Sequence, residues 1–150
     1  MSTHRTSVSV SLASTLLILG YYLVNLIPMF RQGDLRSEDV FRLAALVIIA
    51  SIVLNIAGNI ITLVVINIIH AIQTQSDKEV RLIEDERDKL ISLKGTQVSY
   101  IAYSLGVLVS MLAFVTGQPA LVMFSLIIFF GLIAEIIGDL SQFYFDHKGA

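Results

Sequence analysis

The chain has 150 residues, of which 55% are hydrophobic and only 15% charged, with a formal net charge of −2. A soluble domain carries about 25% charged residues, and a mean hydropathy of +0.80 likewise points to a membrane protein. The slightly acidic balance and the lack of a basic patch exclude a nucleic-acid partner, and the absence of Cys excludes disulfides and thiolate metal sites.

The first apolar segment, 8–30, reads as a membrane helix. No small-x-small cleavage site closes it, and Tyr21 and Tyr22 carry its apolar character on to Phe30, which argues against a cleaved signal. The polar loop after it contains Gly33, a suitable helix stop. Ser37 then precedes Glu38 and Asp39, the pattern of an N-cap with acids in the first turn.

The second helix is expected over 38–73. Residues 43–72 of it contain no Asp, Glu, Lys or Arg. At 1.5 Å per residue this run is about 45 Å long, against a hydrocarbon core of about 30 Å. The helix must therefore tilt, or one end must protrude. Ser51, Asn55, Asn59, Thr62 and His70 recur on one face, with Gly58 beside it and Asn67 offset. Amides and imidazole are costly against lipid, so this face should meet protein. It is either interhelical glue or a polar pathway.

Residues 74–97 are charged and lack Pro and Gly before Gly95. They read as an amphipathic helical connector on the cytoplasmic side, continuous with helix 2 and ending at Gly95. Within it, Asp85, Glu86, Arg87, Asp88, Ile91, Lys94 and Gly95 form the pattern D-E-R-D-x-x-I-x-x-K-[A/G]. This pattern resembles a signature between spans 2 and 3 of small four-helix membrane proteins of bacteria and archaea. The resemblance rests on one short motif and the layout of spans. It implies the four-helix architecture but no established activity. Physically the motif is an alternating-charge helix face above an apolar one.

The third helix is expected over 98–116, with Gly106 and Ser110 as a small-xxx-small pair for close helix contact. A minimal turn leads to the fourth, 119–145, with Pro119 at a natural N1 position. On that helix Glu135, Asp139 and Gln142 fall at i, i+4 and i+7, on one face. An acid at mid-helix costs about 2.5–3.5 kcal/mol on insertion scales, so a partner or a water-filled cavity is expected to offset it. Ser104, Tyr103 and Asn67 are the expected partners of Glu135, whereas Asp139 is expected near the headgroups, level with His70 and Tyr100. The cluster Glu135, Asp139, Asn55, Asn59, Asn67 and His70 suits a proton or a hard cation. It equally suits a hydrogen-bond network that locks packing.

Arg5, Lys78, Arg81, Arg87, Lys89, Lys94 and Lys148 are expected on one side of the membrane, and Arg31, Arg36 and Arg42 on the other. Seven against three puts both termini in the cytoplasm. The chain carries none of HExxH, GxSxG, the P-loop or GxGxxG. The residues His4, His70 and His147 are far apart, so neither a metal nor a cofactor is expected. The expectation is an all-α integral membrane bundle of four helices in the cell membrane, non-enzymatic and self-associating or held by a membrane partner. Its role is expected to be regulatory or structural, exerted on a cytoplasmic protein through 74–97. The alternative is an oligomeric ion- or proton-conducting protein using Glu135.

Overall fold

The computed structural model describes residues 3–33, 36–73 and 86–148. They form four helices: α1 (Thr3–Gln32), α2 (Ser37–Gln73), α3 (Glu86–Val115) and α4 (Ala120–Lys148). All four contain a stretch long and apolar enough to cross a membrane. Large apolar side chains such as Leu17, Ile49, Leu105 and Val115 stand exposed along the helices. In water that would be untenable; against lipid tails it costs nothing.

The termini follow local rules. Gly33 closes α1 at φ 68°, a backbone conformation that only glycine adopts freely. The α2 helix opens at Ser37 with Glu38 and Asp39 in its first turn, and the acids complement the positive end of the helix. Gly117, at φ 97°, ends α3 in a Schellman motif. The amides of Gly117 and Gln118 donate to the carbonyls of Phe114 and Ala113 at 3.0 and 3.2 Å.

One expectation fails here. Gly95 does not stop a connector helix, because α3 runs unbroken from Glu86 to Val115. Gly95 is buried and packs against α4, where an added Cβ would meet the Gln142 side chain and lie 3.0 Å from the Gly138 carbonyl oxygen. Close approach of two backbones, not chain reversal, is what this glycine permits. The motif residues Glu86, Arg87, Asp88 and Lys94 therefore form the first turns of the third span. Asp85 and the segment 74–85 lie outside the described residues.

The helix α4 is the centre of the arrangement, touching α3 most extensively, then α1, then α2. Gly95, Ser99, Ala102, Gly106, Ser110 and Ala113 recur every three or four residues on α3. Gly95 and Ser99 meet Gly138, and Gly106 meets Phe130. Small residues let backbones approach where no hydrophobic force drives helices together. On the other side, Ile18, Tyr22 and Leu26 of α1, Leu43 and Val47 of α2 and Leu132 of α4 form the buried core.

Paired contacts set the directions. Tyr22 reaches Ser125 and Arg5 reaches Asp146, so α1 and α4 are antiparallel. Phe41 stacks on Phe124 with centroids 4.9 Å apart, and Asn55 reaches Glu135, so α2 and α4 are parallel. From that level α2 continues for 18 residues to Gln73 and α4 for 13 to Lys148. The difference leaves the end of α2 about 7 Å longer at 1.5 Å per residue.

Candidate functional site

The site is built where α1, α2 and α4 meet. The Asn55 side-chain amide donates to Glu135 Oε1 at 3.0 Å and to the Ser51 carbonyl one turn back at 3.0 Å. Ser11 Oγ on α1 donates to Asn55 Oδ1 at 3.3 Å, and Asp139 lies one turn beyond Glu135 on the same face of α4. Four polar groups from three helices therefore converge about 10–16 Å, at 1.5 Å per residue, from the Asp146 end of α4.

The partners differ from those expected. Ser104 Oγ bonds its own helix, donating to the Tyr100 carbonyl at 2.8 Å, and it is exposed. Tyr103 lies against Gly131, 3.6 Å from an added Cβ there. Neither meets Glu135, because the α3–α4 seam is filled by small residues one face away. The two acids are differently buried within the bundle. Asp139 is only 7% exposed, while Glu135 is half-buried. Asp139 sits deep because Gly95 and Gly138 draw α3 onto α4 beside it. The side chains of Asn59, Thr62, Asn67 and His70 lie outside the described residues, so of the expected stripe on α2 only Ser51 and Asn55 can be placed. Ser51 lines an apolar cleft among α2, α3 and α4.

Beside the acids lies a cleft of about 170 Å³ lined by Gly95, Thr96, Ser99, Glu135, Gly138, Asp139 and Gln142. Its side chains carry only oxygen and amide groups. Asp139 Oδ2 is one of two buried side-chain oxygens without a hydrogen-bond partner among the described residues; the other is Thr15 Oγ1.

Above the cleft is a charge clamp. The Arg5 guanidinium of α1 and the Arg87 guanidinium of α3 both bind Asp146 near the end of α4. Arg87 Nη2 donates to the Asp146 carbonyl at 3.0 Å and lies 3.5 Å from its Oδ1, while Arg5 Nε donates to Oδ2. Lys94 stands 5.6 Å from the centre of the Phe145 ring, within cation–π range. Within the motif, Arg87 and Lys94 thus have partners on α4. Ser11, Arg5 and Asp146 were assigned to no site from the sequence. Asp146 continues the spacing of Glu135, Asp139 and Gln142 by one more turn, and that extension was the available signal.

Among the described residues no group of three or more His, Cys, Asp or Glu could hold a metal ion. Four spanning-length helices with a polar junction buried among three of them define a multi-pass membrane protein. No protein-family model matches the chain, and no curated protein or solved structure matches it either.

Proposed function

We propose that this chain is a small, non-enzymatic protein of the cell membrane that conducts protons or small cations, as an oligomer, by way of Glu135 and Asp139. The observation that carries the reading is the 3.0 Å bond from Asn55 to Glu135, which holds an acid of a spanning-length helix beside a second acid and a polar cleft. Packing alone does not require two acids on one face, each costly in a spanning helix. The seven-to-three distribution of Lys and Arg supports both termini in the cytoplasm.

The test is flux. Reconstituted wild type is expected to dissipate a pH or cation gradient in liposomes, and Glu135→Gln to lose most of that flux while keeping its size-exclusion profile. Gln can still accept the Asn55 hydrogen bond, so assembly is expected to survive. Equal flux from both proteins, or none from wild type, would leave Glu135 a packing group.

A second reading is a regulatory or structural role exerted on a cytoplasmic protein through the 74–97 connector. The bond of Arg87 to Asp146 supports it, since it ties the C-terminal flank of that connector to α4. Arg87 is about half-exposed, so Arg87→Ala is expected to cost less than about 1 kcal/mol. On this reading it nonetheless abolishes co-purification of the partner. Partner capture unchanged by Arg87→Ala, or labelling of Ser92→Cys by an impermeant thiol reagent from outside the cell, would refute it.

A further inference from the structure

We infer that the cleft beside Asp139 is a binding site for one hard cation, with Asp139 as its principal charged ligand and Glu135 secondary. The inference rests on the conducting role and names its ligand and its binding group. Asp139 is 7% exposed, lines the cleft, and has a buried Oδ2 without a hydrogen-bond partner among the described residues. A buried carboxylate oxygen without a donor costs several kcal/mol unless a positive charge or a proton satisfies it. The neighbouring acid is differently placed, because Glu135 Oε1 already accepts from Asn55.

The lining selects the ligand class. Thr96 and Ser99 offer hydroxyls, Gln142 an amide, and Glu135 and Asp139 carboxylates. Oxygen sets of this kind suit Na⁺, Mg²⁺ or Ca²⁺, whereas softer ions prefer His and Cys, and neither residue lines the cleft. Charge excludes an anion. Of the basic groups nearest along the helices, Arg5 and Arg87 are engaged by Asp146 and Lys94 stands by Phe145. Among the described residues, α1 and α2 present the uncharged Ser11 and Asn55 to this junction. The space suffices, since a single water needs only about 10–15 Å³ and the cleft measures about 170 Å³.

The test uses the full chain in detergent micelles. A hydrophobic carbodiimide is applied and its adducts are mapped by mass spectrometry. Na⁺, Mg²⁺ or Ca²⁺ replaces N-methylglucamine at constant ionic strength. The expected result is that at least one of these ions slows modification of Asp139 tenfold or more. The same ion should raise the Tm of wild type saturably, but not that of Asp139→Asn, and Glu135→Gln should need a higher concentration of it. Should Asp139→Asn fail to fold, protection of the wild-type residue decides the matter alone. Modification of Asp139 that no ion alters, or an equal Tm rise in Asp139→Asn, overturns the inference. Proton flux that persists when no ion protects Asp139 would leave the conducting role standing and remove only the cation site. Protection without any flux would keep the site and remove the conducting role.

Discussion

Tyr22→Ala should be strongly damaging, costing about 3 kcal/mol. Tyr22 is 1% exposed and heads the largest fully buried side chains. It stands among Ile18, Leu26, Leu43, Val47 and Leu132 where α1, α2 and α4 meet. Truncating a buried aromatic removes its packing contacts and leaves a cavity that the neighbours fill only in part. Lipid tails are as apolar as the core, so the loss is one of packing and not of transfer from water. The hydroxyl contributes less. It donates to the Ser125 carbonyl at 2.8 Å, and interhelical hydrogen bonds in membranes average about 0.6 kcal/mol. Tyr22→Phe should therefore cost about 0.6 kcal/mol. Unfolding in mixed micelles, followed by circular dichroism, checks both. A Tyr22→Ala cost no larger than that of Tyr22→Phe would mean that the three-helix core does not depend on this ring.

Gly138→Val should part α3 from α4 at a cost of about 3 kcal/mol, near the upper end for overpacking. A Cβ on Gly138 would lie 2.9 Å from Ser99 Cβ and 3.3 Å from the Gly95 carbonyl oxygen. Both atoms belong to or adjoin the α3 backbone, so no side-chain rotation relieves the clash. Gly138→Ala meets the same first atom but recovers about 1 kcal/mol of helix propensity, so its net cost should be nearer 1 kcal/mol. Gly20→Val is the control, because nothing lies within 4 Å of a Cβ there, and it should leave stability nearly unchanged. Disulfide trapping or energy transfer between α3 and α4 reports their separation directly. A Gly138→Val protein as stable as Gly20→Val would show that the two helices are not held by their small-residue seam.

Much of the architecture was legible in the residues alone. Four apolar stretches of spanning length, the stop at Gly33, the start at Ser37 and the acids Glu135 and Asp139 on one helix face all follow from composition and from 3.6 residues per turn. These are local properties, set by solvent preference and backbone geometry within a few residues.

The partners did not follow. Gly95 in isolation is a helix stop; in the fold it lies mid-helix, because close packing against Gly138 offsets its poor propensity. Glu135 pairs with Asn55, not with Ser104 or Tyr103, because the axial register of α2 on α4 is set by contacts such as Phe41 on Phe124. Asp139 is buried because the α3 backbone lies close beside it. Periodicity tells which residues share a face of one helix. Which faces of different helices meet, and at what depth, depends on the packing of all four at once, and only the tertiary structure decided that.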